Sequence, residues 1–382
     1  MKISSIKTHP VSMPLAVPRW TAHERLTSSS VILVEVRTDD GLVGYGQIHG
    51  GPMNEVCEWV ARFGEIVRGM DALGHVEIWE RLFSLTSPRP GAMRGIDGLP
   101  PPLPRSARPQ IMAAIGGIDI ALWDIKGKAA GVPVYRLLGG AKRPVFSYAT
   151  GGQYRDGVPL EACAEELASF VAAGYRAVKL KVGAEAMADE VNRVRATREA
   201  IGKETLLMLD MNACYVVEDC IAFARAIEPY AVYWLEEPLH WYLQPADFVQ
   251  LAAATSIPLA HCERELTRFT VRDFIACRAV RFVQFDSTRH AGFTESLRIA
   301  ALAEQFGVRI APHQAPELHA HLCAAFPGAS FGVESNGNRE RDPLWYGIYT
   351  RRPEIRNSHV YLDDSPGFGI EIDWDFVSRY RA

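Results

Sequence analysis

The sequence predicts an α/β protein whose main body is a closed barrel of eight parallel strands. Three observations carry this. From about residue 144 onward, eight short apolar runs alternate with segments of helical periodicity. The runs recur at about the 30-residue spacing of a strand-helix unit, and eight units make a barrel of about 250 residues. Most runs also end in a polar residue, and these ends stand one unit apart along the chain. An open doubly wound sheet is the alternative that the same alternation allows.

The elements follow in order. The first fifty residues read as β-structure: "SSVILVEVRTDDGLVGYGQ" is a strand, a turn at Asp40-Gly41 and a second strand, hence a hairpin. Residues 53–83 are helix-like, with Trp59, Phe63, Ile66 and Val67 on one face. A Pro- and Arg-bearing stretch from Ser87 to Pro109 reads as a long loop. "IMAAIGGIDIALWDIKGKAAG" is a mostly apolar helix ending near Gly131, with "VPVYRLLGG" as its exit. The barrel strands are then "VFSYATG", "AVKLKVG", "LLMLDMN", "AVYWLEEP", "IPLAHCE", "RFVQFDS", "VRIAPH" and "SFGVES", separated by helices such as "EACAEELASFVAAG" and "TESLRIAALAEQFG".

Composition narrows the function classes. The chain has 382 residues, 48% hydrophobic and 23% charged, as in an ordinary globular protein. A net charge of −4 argues against a nucleic-acid partner. No run of about 20 apolar residues exists, and no basic-then-apolar leader opens the chain, so no membrane association is expected. Seven scattered cysteines without a CxxC pair suggest reduced thiols and a cytoplasmic location. The expected partners are a small-molecule carboxylate and further copies of the chain.

Strands of a parallel barrel are buried on both faces and should be apolar throughout. Here Lys179 and Lys181 end the second, Asp210 and Asn212 the third, Glu236 the fourth, Glu263 the fifth, Asp286 the sixth, His313 the seventh and Glu334 the eighth. Singly, a Glu at a strand end is solvated or salt-bridged, a His is a satisfied structural residue, and paired lysines are a solvent-facing strand side. In register they are hard to explain that way, because buried charges without partners are costly. The common rim is where barrel enzymes keep their chemistry.

In "AVKLKVG", Val178, Leu180 and Val182 should face the helix layer while Lys179 and Lys181 enter the barrel mouth. Lys179 is expected to disfavour the charged form of Lys181 and make it a base near neutral pH. Asp210, Glu236 and Glu263, all-oxygen donors on adjacent strands, suit Mg²⁺. Across the mouth, Asp286 can fix the tautomer of His313. A Lys base, a His–Asp pair and a metal between them suit proton abstraction next to a carboxylate, with Mg²⁺ stabilising an enediolate.

The chain resembles the mandelate racemase branch of the enolase superfamily. The likeness rests on "VEVRTDDGLVGYGQ", "IDIALWDIKGKAAGVPVYRLLGG", "KLK", "DMN", "WLEEP", "CE", "FD" and "APH", and covers essentially the whole chain. It implies a modified (β/α)7β barrel over residues 129–354. It also implies an α+β capping domain of residues 1–128, completed by the tail from about 355 to 382. By the same likeness Asp210, Glu236 and Glu263 match the metal ligands, and Lys181 and the His313–Asp286 dyad match the acid/base groups. Lys179 and Asn212 match residues near the substrate, and Glu334 matches the group that hydrogen-bonds its carboxylate. Cys262 stands where the family usually has Gly, "STRHAGF" replaces a Lys-bearing Gly-Gly turn, and the Arg- and Pro-rich loop is long.

Dehydration of an acid sugar, aldonate or aldarate, is the favoured reaction: Lys181 takes the α-proton and His313 assists loss of the β-hydroxyl. Polar loops expected over the site favour a polyol acid, with Trp20, His23, Arg25 and His49 as substrate contacts and Arg19, Glu24 and Gln47 beside them. Plain solvation explains those loop residues equally well. A 2-hydroxy-acid racemase or epimerase using Lys181 and His313 as opposed bases is the second reading. Cycloisomerases and acyl-amino-acid racemases of this kind carry a second lysine where this chain has His313. A metal-binding protein without catalysis is the remaining class, and it should have lost a base or a ligand. Arg89, Arg94, Arg105 and Arg108 are candidates for a second carboxylate site. His319 and His321, two apart on a helix, make a poor metal pair. Glu237 should point away from the metal, and Trp123 and Trp234 read as core.

Overall fold

The computed structural model describes residues 1–382. The chain opens with an antiparallel sheet of β1 (Ile3–Trp20), β2 (Arg25–Thr38) and β3 (Val43–Ile48) in the order 1-2-3. The Asp40-Gly41 turn lies between β2 and β3, with Gly41 at φ 92°. The helical stretch after it is two helices, α1 (Met53–Val67) and α2 (His75–Ser84), because "RGMDALG" interrupts it with a left-handed Gly69. The inner face of α1 is Val56, Val60, Phe63 and Val67; Trp59 and Ile66 flank it, half-buried. The loop expected over residues 87–109 contains short 3₁₀ turns at Ala92–Arg94 and Arg105–Ala107 before α3 (Arg108–Ala130). Pro109 enters the first turn of α3, where a missing N–H costs nothing, and left-handed Gly131 ends it. The short α4 (Val134–Leu137) follows.

Strands β4 (Val145–Gly151), β5 (Ala177–Lys181), β6 (Leu206–Asp210), β7 (Val232–Glu236), β8 (Leu259–His261), β9 (Phe282–Val283) and β10 (Arg309–Ile310) run parallel in sequence order. β11 (Val333–Ser335) pairs with β4, and bonds between Ile310 and the 329–331 segment close the circle on its other side. Helices α5 (Ala162–Ala172), α6 (Met187–Ile201), α7 (Val217–Ile227), α8 (Pro245–Ala254), α9 (Arg268–Ala276), α10 (Gly292–Phe306) and α11 (Pro316–Ala325) connect the strands. This is the capped barrel expected, with no open edge.

The floor of the barrel is a layer of Tyr148, Ala177, Met208, Trp234, Ala260, Phe282, Ala311 and Phe331, one from each strand position. Large and small residues share that layer, as close packing around an axis requires. Val178, Leu180 and Val182 pack outward into the main strand-helix core. The strand period therefore sends Lys179 and Lys181 inward, above the Trp234 floor.

The tail divides its loyalties. After α12 (Pro343–Ile348) and β12 (Tyr349–Arg351), strands β13 (Glu354–Arg356) and β14 (His359–Tyr361) form a hairpin whose β14 pairs with the lower end of β4. Residues 354–361 thus extend the barrel sheet, because β11 leaves Val145 and Phe146 unpaired on that side. Only the segment with β15 (Glu371–Ile372) and α13 (Trp374–Arg379) joins the N-terminal sheet: Ser12 N–H donates to Tyr380 and His9 meets Trp374 edge-on. The proposed boundary near residue 128 falls in the last turn of α3, which packs on β3 and on α10 at once.

Two features fix that seam. Gly44 and Gly46 let β3 lie directly on α3; a Cβ at either would stand about 2 Å from a helix carbonyl oxygen. Asp124 of α3 accepts the N–H groups of Tyr45 and Phe368, each at 3.0 Å, and the Lys128 ammonium at 2.6 Å. One carboxylate thereby joins the first sheet, the barrel-side helix and the tail. Asp124→Ala should lower unfolding free energy by about 3 kcal/mol, because two buried N–H groups lose their acceptor. Thermal and urea unfolding would show it, and an unchanged midpoint would refute this role.

Candidate active site

Parallel register sets the rim. Lys181 lies opposite Asp210 across β5 and β6, and Asp210 opposite Glu236 across β6 and β7. Glu263 follows β8, Asp286 follows β9, His313 follows β10 and Glu334 sits in β11. All are buried. The steps read in the sequence are one strand-helix unit each, so the seven polar ends converge on one space above the aromatic floor.

The lysines are not a bare pair of ammonium groups. Lys179, wholly buried, ion-pairs with Glu236, with Glu334 at 3.0 Å and with Asp210 at 3.4 Å. Lys181 donates to Asp210. Burial alone would lower the Lys179 ammonium, but Glu236, Glu334 and Asp210 raise it well above the ordinary lysine range. The repulsion anticipated between the two lysines is therefore taken up by carboxylates.

Asp210, Glu236 and Glu263 present one oxygen each within 4.8 Å of one another. Burial pushes the Glu236 carboxyl well up, with Lys179 opposing, and Oε2 of Glu263 has no hydrogen-bond partner. Around this centre six carboxylates (Asp210, Glu236, Glu237, Glu263, Asp286, Glu334) face Lys179, Arg264 and Arg289 and one further positive charge, carried by Lys181 or, when Lys181 is neutral, by His313. Two negative charges are left over. The donor set and the charge both fit one hard divalent cation.

On the opposite side His313 Nδ1 is 2.9 Å from Asp286 Oδ2, and its Nε2 is 3.3 Å from Glu263 Oε2. The N–H and hydroxyl of Thr288 donate to the other oxygen of Asp286 at 2.8 and 2.6 Å. Burial would raise this carboxyl, but His313 and then Arg289 hold it well below the usual range. Arg289, which the sequence did not single out, also donates to Glu263 at 3.0 Å. Behind the dyad, His319 and Ser287 continue the network, while His321 turns to Tyr135 and Phe368, so the two histidines share no site. Glu237 points off to Arg264 at 3.4 Å. Cys262 has φ 93°, which explains why the family pattern favours Gly there.

A cavity of about 430 Å³ opens between barrel and cap, and Glu334, Gln314, Arg289, Arg19, Gln153 and Arg341 are among its lining residues. His49 lines it, and its imidazole is buried with Nδ1 unpartnered. Asn212 is buried beside the triad, its N–H on Asp210 and its Oδ1 unpartnered. Three expected substrate contacts are elsewhere. Trp20 stacks on Tyr154 and carries Arg25 over its ring at 5.2 Å, and Arg25 pairs with Asp156 at the surface. His23 packs on Trp241 of the β7–α8 loop, with ring centroids 4.2 Å apart. The reason is that residues 18–20 and 25–30 are the ends of β1 and β2, whose alternation turns Arg19 toward the cavity and Trp20 away from it, while His23 sits in the four-residue turn Thr21–Glu24 between them. Gln47 lines the cavity but is bonded to Glu317 and Tyr349. Arg341 and Gln153 carried no sequence signal beyond their polarity.

A barrel with its polar strand ends gathered under a cap, a carboxylate triad between a lysine and a His–Asp pair, defines a class of metal-assisted acid/base enzyme. Residues 162–376 match the enolase C-terminal domain-like family, and residues 93–139 match the mandelate racemase / muconate lactonizing enzyme N-terminal domain. The chain belongs to the mandelate racemase branch of the enolase superfamily. It is 30% identical to the arabinonate dehydratase of Saccharolobus solfataricus, over 92% of this chain and 91% of that one. It is 32% identical to the D-galactarolactone cycloisomerase of Agrobacterium fabrum, over 100% and 99%. The crystal structure of the Salmonella typhimurium L-talarate/galactarate dehydratase, liganded with Mg and L-lyxarohydroxamate, superimposes with a TM-score of 0.85. That match has 29% identity and covers 100% of this chain and 93% of that one.

Lys179→Met would leave three buried carboxylates facing one another. Unfolding without metal should then require about 3–5 kcal/mol less. Mg²⁺ should restore part of the loss by neutralising the same oxygens. Calorimetry with and without Mg²⁺ reads both numbers, and equal losses in the two conditions would separate Lys179 from the triad.

Proposed function

We propose that this protein is a Mg²⁺-dependent hydro-lyase that converts an acid sugar into a 2-keto-3-deoxy acid. One observation carries the reading: Lys181 and the His313–Asp286 pair flank the carboxylate triad from opposite sides, next to Glu334 and Arg289, which line a polar cavity. The dehydratases among the relatives support the reaction class. The cycloisomerase shows that a similar chain acts on a lactone, an outcome the product assay must separate.

Asp210, Glu236 and Glu263 would hold the cation. When bound, Mg²⁺ supplies positive charge against which the substrate carboxylate gathers electron density. Lys181 Nζ accepts the proton from C2. His313 Nε2 gives a proton to the hydroxyl on C3, which leaves as water while the C2–C3 double bond forms. The resulting enol tautomerises to the ketone. Asp286 stays on Nδ1 throughout, holding the ring so that Nε2 faces the triad. Lys179, locked among three carboxylates, is suited to position charge; its role is electrostatic.

Lys181→Ala should reduce turnover by at least about 100-fold and abolish exchange of the C2 proton in D₂O. His313→Asn should lose dehydration to a similar degree yet keep exchange. Exchange surviving in Lys181→Ala and lost in His313→Asn would reverse the two roles. Inversion at C2 without a keto acid would replace the reading by racemisation. Chelation should stop turnover, and Mg²⁺ should restore it; turnover indifferent to a chelator would remove the metal from the reading.

A further inference from the structure

The second carboxylate site anticipated in the 87–109 loop does not form. Arg89 is spent on Asp97 at 2.7 Å and on the carbonyl of Ser84, and neither it nor Arg94, Arg105 or Arg108 lines the cavity. Two other arginines do. Arg19, near the end of β1, and Arg341, before α12, line the same cavity as the rim residues Glu334 and Arg289. Arg341 is only 9% exposed. The Nε–H of each is buried without a hydrogen-bond partner.

Local carboxylates do not satisfy them. Glu166 stands 3.8 Å from Arg341 Nε, beyond hydrogen-bond distance, and shares its charge with Arg155 at 3.9 Å. Asp342 is engaged by the N–H of Trp345 and the amide of Asn336. Burial, and then repulsion from Arg341, lowers Arg19 to about 9. Burial lowers Arg341 as well, with Arg155 adding repulsion. Guanidinium groups resist losing charge, so two converging ones with unused donors are completed by an anion. Glu334, on the catalytic side of the cavity, is near enough to act on Arg341 electrostatically.

Resting on the hydro-lyase reading, we infer that Arg19 and Arg341 together bind the distal carboxylate of a diacid sugar, so that this enzyme takes aldarates in preference to aldonates. A planar carboxylate can take paired N–H donors from a guanidinium, which a terminal hydroxymethyl group cannot. The cavity continues past the pair into an outer cleft of about 1000 Å³ that shares Arg19, Gln153 and Arg341. Selection here is therefore by charge and not by a closed wall.

The test compares galactarate with galactonate, and further epimeric pairs, on the purified enzyme with Mg²⁺. A kcat/KM ratio of about 100 or more in favour of the diacid is expected, with that preference falling by about 100-fold in Arg19→Met and in Arg341→Met. Arg19 is half-exposed, so Arg19→Met carries the test even where Arg341→Met fails to fold. Aldonates turned over as well as aldarates would overturn the inference and leave the hydro-lyase reading standing. Preference for a 6-phosphorylated aldonate would assign the pair to phosphate and also overturn it. Should no acid be dehydrated, the hydro-lyase reading fails, and thermal stabilisation decides the pair separately. Galactarate should then raise the melting temperature more than galactonate, and Arg19→Met should remove the difference. Equal stabilisation by the two acids would dismiss the site.

Discussion

Everything in the upper half of this barrel depends on the neutralisation of two buried lysines. A parallel strand has no wet face, so Lys179 and Lys181 enter the interior with no water to solvate them. Removing an ammonium from water costs several kcal/mol unless opposite charge and hydrogen bonds replace the solvent. Asp210, Glu236 and Glu334 supply that charge from three other strands, and the Trp234 floor beneath excludes solvent from the web. The same exchange leaves the web as a whole with more carboxylates than cations. The stabilisation of the lysines and the affinity for a cation are thus one electrostatic arrangement.

The cap is held to this arrangement by backbone proximity. Glycines in β3 and α3 bring main chains together where a methyl group would collide, and Asp124 gathers donors from three segments. Packing this tight fixes the β1–β2 tip over the barrel mouth. That tip carries Arg19 toward the cavity, and the start of the 49–53 segment carries His49. The proposed acid/base groups belong to the barrel, while the proposed contact with the far end of a ligand comes from the cap and from the segment after β11. A scaffold divided in this way can keep its acid/base groups while the outer contacts change.

Trp20 and Arg25 mark the limit of reading polarity as proximity. Treated as loop residues, all side chains from 18 to 30 are equally able to cover a site. Once β1 is seen to run to Trp20 and to pair it with Arg25, alternation separates them: the pair shares one face and Arg19 has the other. Likewise the single helix read over 53–83 is two, since Gly69 and Gly74 break a pattern whose apolar spacing continues on both sides. Arg341 had no local signal; only the fold brings it to Arg19.

The sequence by itself determined the barrel, its strand order and the residues of the polar ring at its rim. Those features follow from local periodicity and from a repeat that places each strand end at the same height. It also determined which side of β5 faces inward, because alternation needs no knowledge of neighbours. Only the tertiary structure decided what the ring does with its charge: which carboxylate answers which lysine, that Glu236 and Glu334 both meet Lys179, and that His313 faces Glu263. Those pairings depend on distances between strands far apart in the chain. It alone decided, too, which cap residues reach the cavity and that the tail splits between barrel and cap. Coulomb and hydrogen-bond energies act through space, and a linear pattern records only separation along the chain.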